Sequence, residues 1–417
     1  MEAKFDLGRT KMKYNFDEII DRRNTNAMNT DGFRGYIFRA GPEMKFPYED
    51  DDFVRMWVAD MEFATPPEVC QAIKDRVDKR IFGYSQVFDN GYYEALSGWC
   101  RKLYDWSFPK EQLVFTPGVI PALYELVGDL VAPDEKLLIT TPAYGYFKHA
   151  ATFNDRELVC SSLKNDNGWF TIDFEDLERK AADPKVKLLL WCNPHNPTGR
   201  MWTEEETKRM GAIAVKYGLW LISDEIHCDL IRQGKKHIPT AKVMPDYPKL
   251  ITCMAASKTF NMAGLMFSNI IVRDAEVRKQ MAAHDKLIGL VNPISITATQ
   301  AAYERGGDWL EQLQTYLDGN FQLVSDYLAA NLPDAVYRIP EATYLAWVDL
   351  NRCLPDVDDL PMFFANKAGV LLEGGDGLFV GSAKGFVRLN LAMPRAIVEK
   401  GLRRMSEAIY KHTGGAC

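Results

Sequence analysis

The chain has 417 residues, of which 47% are hydrophobic, so it is long enough for two or more domains with a large core. Its formal net charge is −7 and no block of Lys and Arg stands out, which argues against binding to nucleic acid. The first residues lack the apolar core of a signal peptide, and no apolar run is long enough to cross a bilayer. We therefore expect a cytoplasmic protein without a membrane partner.

From about residue 91 to 272, helix and strand patterns alternate. A helix follows Gly91, another spans 119–131, and a third spans 203–217 with Thr203 as N-cap and Glu206 as its capping-box partner. Apolar runs predict strands at residues 113–116, 136–140, 186–192, 219–223, 250–254 and 266–272. This alternation predicts an α/β fold with a mostly parallel sheet covered on both faces. Ligands of such sheets bind at the carboxyl ends of the strands.

The remainder of the chain predicts a second, smaller domain. A long helix from Trp309 to Leu332 leads into it, followed by strands at 344–350 and 386–391 and a closing helix at 397–410. We expect a large domain at 57–307 and a discontinuous small domain formed by 14–56 and 308–417. Residues 1–13 have little patterning and are expected to be a disordered extension.

The cysteines are scattered along the chain without a CxxC pair. Several lie inside apolar runs, which is typical of buried free thiols in a reducing compartment. The eight positions are Cys70, Cys100, Cys160, Cys192, Cys228, Cys253, Cys353 and Cys417.

Two charged residues follow predicted strands near the middle of the chain. Lys258 lies in a small-residue turn just past the strand at 250–254, and Asp224 ends the apolar run at 219–222. Pyridoxal phosphate (PLP) requires a lysine that forms a Schiff base and a partner for its protonated pyridine nitrogen. Taken singly, a solvated lysine and a helix-capping aspartate are the more ordinary interpretations. Their combination predicts a PLP site.

Three further motifs near strand ends suit the same cofactor. Two Asn-Pro steps at 193–197 hold an extended loop and leave the Asn196 amide free to donate to a phenolate-like oxygen. Gly118, Val119 and Ile120 open a helix whose N-terminus favours a phosphate. Tyr144 follows a strand and suits stacking on an aromatic ring. Each motif alone also fits an ordinary turn, an ordinary helix start or a core tyrosine.

Arg388 lies in the middle of an apolar strand. A buried arginine needs an anion, so it is either half of a structural ion pair or a clamp for a substrate carboxylate. A metal site is a poor alternative, because its candidate ligands are neighbours at a strand end and point apart, and the further histidines are missing. Those candidates are Asp224, Glu225, His227 and Cys228.

These motifs resemble those of the fold-type I PLP enzymes of the aminotransferase superfamily. More narrowly, the chain is similar to the C–S β-lyase group of the cystathionine β-lyase and cysteine desulfhydrase type, which includes the bacterial maltose-regulon modulator. The superfamily resemblance rests on Asn196, Asp224, Lys258 and Arg388. The matching segments are residues 17–23, 57–67, 82–85, 141–144, 196–199, 223–227, 257–261 and 386–390.

The resemblance implies an aspartate aminotransferase-like fold, with a mostly parallel seven-stranded sheet in the large domain and a smaller α+β domain. It implies that Lys258 binds PLP covalently and moves the Cα proton, and that Asp224 is the pyridinium partner. It also implies that Asn196 donates to the phenolic oxygen of the cofactor and that Tyr144 stacks on its ring. Arg388 matches the clamp for the substrate α-carboxylate, with Asp60 and Asn196 as further substrate contacts.

Other matches concern the cofactor phosphate. Gly118, Val119, Ile120 and Ser257 match phosphate-binding positions. Tyr84 matches a tyrosine that reaches the active site of the neighbouring subunit, which implies a homodimer with shared sites.

The chain also departs from the wider superfamily. Ala255 and Met266 stand where many members carry a hydroxyl residue and an arginine for the phosphate. His227 stands where many aminotransferases have a tyrosine that binds the phenolic oxygen, so it either touches the cofactor or only packs.

The function implied is β-elimination of cystathionine, cysteine or a related cysteine S-conjugate, which yields a thiol or sulfide, pyruvate and ammonia. Transamination is an alternative that uses the same residues. A regulatory protein that keeps PLP as a structural ligand and acts through a partner surface is a third. No motif in the chain separates these three.

Overall fold

The computed structural model describes residues 13–288, 291–415 and 417. Its strands are β1 Val54–Met56, β2 Leu113–Thr116, β3 Lys136–Thr141, β4 Ala143–Tyr144, β5 Glu157–Ser162, β6 Lys164–Asp166, β7 Trp169–Thr171, β8 Val186–Cys192, β9 Trp220–Asp224, β10 Leu250–Met254, β11 Ser268–Val272, β12 Leu345–Asp349, β13 Val370–Gly374, β14 Phe379–Val380 and β15 Phe386–Asn390. Its α-helices are α1 Met28–Asp31, α2 Phe33–Phe38, α3 Pro67–Val77, α4 Gly91–Tyr104, α5 Val119–Leu130, α6 Gly145–Thr152, α7 Phe174–Ala181, α8 Glu204–Tyr217, α9 Thr240–Val243, α10 Ala256–Thr259, α11 Ala275–Ile288, α12 Pro293–Arg305, α13 Gly307–Asn331, α14 Leu360–Ala368, α15 Gly375–Leu378 and α16 Arg395–Thr413.

The larger sheet has seven strands in the order β2-β11-β10-β9-β8-β3-β5. Every neighbouring pair from β10 to β5 is parallel, and β11 is antiparallel to both β10 and β2. The continuously apolar runs that predicted these strands are buried because helices cover both faces. The prediction of a mostly parallel sheet is therefore confirmed, as is the capping box of Thr203 and Glu206 at the start of α8.

One strand of this sheet was not predicted. Strand β5 lies at the edge, where it pairs with β3 alone, and its residues are mostly half-buried or exposed. An edge strand of this kind lacks the continuous apolar run that marks its buried neighbours, and its sequence ELVCSS also lacks a clear alternation.

The smaller sheet has the order β1-β13-β15-β12. Strand β1 comes from the N-terminal part of the chain and runs parallel to β13, with Val54 opposite Val370. Helices α14 and α16 pack against this sheet, and α13 packs on α16. This pairing agrees with an N-terminal segment that packs with the C-terminal part, while the domain boundaries themselves stay a prediction.

The expected extension at 1–13 falls mainly on residues 1–12, which lie outside the described residues. Lys13 is described, and its ammonium contacts Glu68 at 3.0 Å. Within the described ranges, no helix has the length and apolar character that crossing a membrane requires.

The prediction of free thiols is wrong for two of the eight cysteines. Cys353 and Cys417 form a disulfide, with their Cα atoms 5.1 Å apart. The two residues are separated by 64 positions, and the fold of α16 against α14 brings them together, which no local pattern signals. The other six cysteines are free, and four of them are buried: Cys100, Cys192, Cys228 and Cys253.

Candidate active site

A pocket of about 190 Å³ lies at the carboxyl ends of β8, β9 and β10 and at the N-terminus of α5. Strand register explains why the predicted residues meet there: Asp224 at the end of β9 pairs with Cys192 on one side and Cys253 on the other. The pocket-lining residues that the sequence predicted are Gly118, Val119, Ile120, Tyr144, Asn196, Asp224, His227, Ser257 and Lys258.

Lys258 lies on α10, a single helical turn that begins two residues after β10 ends. Its Nζ atom donates to the carbonyl oxygen of Ala59 at 2.6 Å, and the hydroxyl of Tyr344 donates to the same oxygen at 2.9 Å. Burial lowers the pKa of the Lys258 ammonium, while the nearby carboxylate of Asp60 acts in the opposite direction. A lowered pKa increases the fraction of the lysine that is a neutral amine. Such a lysine is suited to act as a nucleophile and as a base.

Asp224 is buried, and its Oδ1 atom accepts from the backbone N–H of Ile226 at 3.1 Å. Burial raises the pKa of the Asp224 carboxyl to about 7. No hydrogen bond to the other carboxylate oxygen is present among the described residues. A buried carboxylate with one free oxygen is suited to a cationic ring nitrogen, which would restore its ionised form.

Asn196 links the pocket to Arg388. The Nη1 atom of Arg388 donates to Asn196 Oδ1 at 3.1 Å. Because a guanidinium only donates, this bond fixes the amide oxygen towards the arginine and leaves the NH₂ group free to donate into the pocket. The amide of Asn196 is therefore oriented to donate to a ligand in the pocket, and its role towards the cofactor stays a prediction.

The sequence left two alternatives for Arg388, a structural ion pair and a clamp for a substrate carboxylate. The contacts of its guanidinium relate to both. The residue is fully buried, and its Nη2 atom forms an ion pair with the carboxylate of Glu373. Glu373 lies on β13, directly opposite Arg388 in the antiparallel register. The Arg388 side chain thus forms a structural ion pair and, through Asn196, also contacts the edge of the pocket.

The N-terminus of α5 forms the end of the pocket that suits a phosphate. Gly118 is the residue that precedes the helix, and Ser257 lies across the pocket on α10. Ala255 and Met266 contribute no polar group there, and Met266 is 60% exposed at the mouth of the pocket. Helix N–H groups and a serine hydroxyl are therefore available to an anion at this end of the pocket.

Tyr144 lies on β4, where it pairs with Phe379, and its ring stacks against Tyr146 with a centroid distance of 5.1 Å. Burial raises the pKa of the Tyr144 hydroxyl, so this tyrosine is neutral. Tyr36, from the N-terminal part of the chain, is close enough to act on the pKa of this hydroxyl. Tyr144 therefore presents an aromatic wall to the pocket that neighbouring rings hold in place.

His227 lines the pocket and is buried, with its ring centroid 6.1 Å from that of Tyr344. Burial lowers the pKa of His227 to about 3, and the charges of Lys258 and Arg388 act in the same direction. Its Nδ1 atom is buried without a hydrogen-bond partner among the described residues. A neutral imidazole with an unused ring nitrogen is thus available to a ligand.

Three predicted site residues do not line the pocket: Asp60, Tyr84 and Arg388, which contacts the lining residue Asn196. The Asp60 carboxylate pairs with Arg22 at 2.6 Å, although its charge still acts on Lys258. Tyr84 is 96% exposed and does not line the pocket of its own chain.

Sequence reasoning missed several pocket residues. Most are apolar and carry no chemical signal of their own: Ala59, Pro117, Pro121, Phe147, Cys192, Ile226, Ala263 and Phe267. Sequence reasoning also missed Glu373, which does not line the pocket but pairs with Arg388, and which is a carboxylate at the end of the apolar run 370–372. A buried acid needs a partner, so this run could have pointed to the pair with Arg388.

Comparison with known proteins shows which family this chain is similar to. The model of the family described as aminotransferase class I and II matches residues 51–405. The cystathionine beta-lyase PatB of Bacillus subtilis is 36% identical over 95% of this chain and 100% of its own length. Protein MalY of Escherichia coli is 32% identical over 95% of this chain and 99% of its own. The crystal structure of the PLP-bound C–S lyase from Staphylococcus hominis is 48% identical, with a TM-score of 0.90, and covers 96% of this chain and 99% of that one.

Proposed function

The chain belongs to the aminotransferase class I and II family, and we propose that it is a PLP-dependent carbon–sulfur β-lyase acting on cystathionine, cysteine or a related cysteine S-conjugate. The observation that carries the proposal is the placement of the Lys258 amine and the Asp224 carboxylate in one pocket, at the ends of neighbouring strands. The similarity to relatives named cystathionine beta-lyase and C–S lyase favours elimination over transamination.

The residues of the pocket fit PLP. The depressed pKa of Lys258 suits covalent attachment to the cofactor aldehyde, and Asp224 suits its ring nitrogen. The NH₂ group of Asn196 would donate to the phenolic oxygen, and the unpartnered Nδ1 of His227 is a further polar atom in the same pocket. The N–H groups at the start of α5 suit the phosphate.

When bound, the cofactor supplies an electron sink for the pair released at the substrate Cα. Asp224 holds the ring nitrogen in its protonated form, which keeps that sink effective. The amine of Lys258 would take the proton from the substrate Cα as general base. Arg388 would orient the substrate α-carboxylate through its guanidinium charge. The sulfur group then leaves Cβ and takes up a proton to become a thiol, and one water molecule hydrolyses the remaining three-carbon amine to pyruvate and ammonia.

The test is the product. We expect PLP-loaded protein to release pyruvate and a thiol from L-cystathionine without any amino acceptor. Addition of 2-oxoglutarate should leave the rate of pyruvate formation unchanged. Transamination would instead yield a 2-oxo acid of the whole substrate only when an acceptor is present, and that result would contradict the proposal. A regulatory role alone predicts bound PLP and neither product.

We also propose that the protein is a homodimer in which Tyr84 completes the site of the other subunit. The loop around Tyr84 exposes an unusual group of large apolar side chains, with Ile81 at 70%, Phe82 at 57%, Tyr84 at 96% and Phe88 at 83%. A cluster of this kind on a protein surface is typical of an interface. A second copy of the chain is the partner that fits the implied role of Tyr84.

Mixing two inactive variants tests the shared site. Lys258→Ala and Tyr84→Ala should each lose activity at limiting PLP, because one lacks the base and the other a phosphate contact. After subunit exchange, one site of each mixed dimer contains both wild-type residues, so about a quarter of all sites should recover activity. Tyr48→Phe, a remote tyrosine that loses only a hydroxyl, serves as control. Without recovery in demonstrably mixed dimers, Tyr84 does not serve its partner.

A further inference from the structure

Glu373 forms an ion pair with Arg388, the residue that is proposed to bind the substrate α-carboxylate. Glu373 and Arg388 are both about 1% exposed, and they face each other across β13 and β15. Side chains directly opposite in an antiparallel pair are close neighbours, so this ion pair is set by the backbone register. The pair is therefore part of the fold of the small sheet and does not depend on a mobile loop.

The hydrogen bonds of Arg388 show what a substrate would meet. Its Nη1 atom is used by Asn196 at 3.1 Å, and its Nη2 atom faces Glu373 and the carbonyl oxygen of Trp57 at 3.4 Å. Nε is buried without a partner among the described residues. A carboxylate that binds an arginine in a bidentate manner needs two of these N–H groups. Glu373 already pairs with Nη2, one of the nitrogens that could supply them.

The charges around Glu373 limit how a second carboxylate is accommodated. Arg388 on β15 and Lys258 on α10 are the cations that lower the pKa of Glu373. Tyr36 on α2 and Tyr144 on β4 are neutral phenols whose pKa the Glu373 charge raises. Burial raises the pKa of the Glu373 carboxyl, with Arg388 acting in the opposite direction. Two buried carboxylates on one guanidinium repel each other, and protonation of one of them removes that cost.

We propose that Glu373 is an internal counter-ion which stands in for the substrate α-carboxylate on Arg388 and takes up one proton from solvent when that carboxylate binds. The inference rests on the proposed function only through the assignment of Arg388 as the clamp. Glu373 is thus a positioning residue: it keeps the guanidinium oriented and neutralised in the free protein. It also makes the affinity for substrate fall as the pH rises.

Calorimetry with a substrate-like carboxylate tests this coupling. The probe is 3-(methylthio)propanoate, which has the carboxylate and sulfur but no amine, added to the PLP-loaded protein. Titration in HEPES and in triethanolamine, which differ in their heats of ionisation, gives the number of protons taken up. We expect wild type to take up close to one proton more than Glu373→Gln. The wild-type Kd should rise about tenfold per pH unit above neutrality relative to that of the variant.

Three controls define the result. Lys258 titrates in both proteins, so the difference between them isolates Glu373. Glu341→Gln, which removes a carboxylate from an ion pair with Arg200 outside the pocket, should behave as wild type. The neutral probe 3-(methylthio)propanamide should cause no proton uptake. If Glu373→Gln does not fold, infrared difference spectra of wild type should still show a protonated carboxyl band on binding of the probe.

Equal proton uptake and equal Kd in wild type and Glu373→Gln would overturn the proposal, as would the absence of the carboxyl band. Pyruvate release from L-cystathionine is measured with the same preparations. Pyruvate release without the difference in proton uptake means that the lyase assignment stands and the Glu373 inference fails. The difference in proton uptake without pyruvate release means that the Glu373 inference stands and the lyase assignment fails.

Discussion

Replacing Lys258 with alanine is expected to lower kcat for elimination by about 10⁴-fold, because this one side chain is both the attachment point and the general base. Among the residues that the structure describes, no other side-chain amine lines the pocket. The variant should still bind PLP through the polar groups of the pocket, but without the absorbance band that borohydride removes. Pyruvate release and the absorbance spectrum, taken on the same sample, are the measurements.

Two further variants separate the chemistry of Lys258 from its charge. Lys258→Arg keeps a cation at this position but has no amine that forms a Schiff base, so it should be as inactive as the alanine variant. Lys208→Ala removes an exposed lysine of α8 that pairs with Glu204 at 2.7 Å, and it should leave kcat unchanged. Full turnover by Lys258→Ala would refute the role assigned to this lysine.

The large sheet and its strand-end residues were accessible from the sequence for a physical reason. Parallel strands covered on both faces are continuously apolar, so β8, β10 and their neighbours stand out as short runs bounded by turn residues. The residues that follow such a run lie near the ligand-binding edge of the sheet, and this rule, together with the residue types that PLP requires and the family resemblance, predicted that Asn196, Asp224 and Lys258 share one site. The comparisons confirm the fold, and the solved structures that match include a PLP-bound C–S lyase.

The features that the sequence did not reveal depend on contacts between distant parts of the chain. Arg388 was recognised as a buried cation, but its ion pair with Glu373 is set by the register of two strands. The disulfide between Cys353 and Cys417 depends on the packing of α16. Likewise, only the structure shows that the carboxylate of Asp60 is paired with Arg22. Composition and periodicity carry no information about such pairings.

Asp224→Asn is expected to have opposite effects on activity and on the stability of the cofactor-free protein. An asparagine cannot hold the ring nitrogen in its protonated form, so kcat should fall by about 10²- to 10³-fold, as for loss of one key electrostatic contact. The bond from the backbone of Ile226 to Oδ1 is retained, because an amide oxygen also accepts. The variant should therefore fold as the wild type does.

The stability effect arises from the raised pKa of Asp224, which is about 7 in the folded protein against an ordinary value of 3.8. Between these two values the folded state holds a proton that the unfolded state has released, so wild-type stability falls as the pH rises through this window. Asparagine has no such dependence. At pH 8 the cofactor-free variant should be more stable by up to a few kcal/mol, and at pH 4 the difference should vanish.

Asp229 provides the matched control, because it is buried as deeply but serves the fold. Its carboxylate accepts from Trp99 at 3.0 Å, from Thr259 at 2.7 Å and from Tyr104. Asp229→Asn loses part of this acceptor capacity and should be destabilised with or without PLP. Thermal unfolding of both variants at pH 4 and pH 8, with and without PLP, is the measurement. If Asp224→Asn is also destabilised without PLP at pH 8, the Asp224 carboxylate is a structural group, and its assignment to the ring nitrogen is wrong.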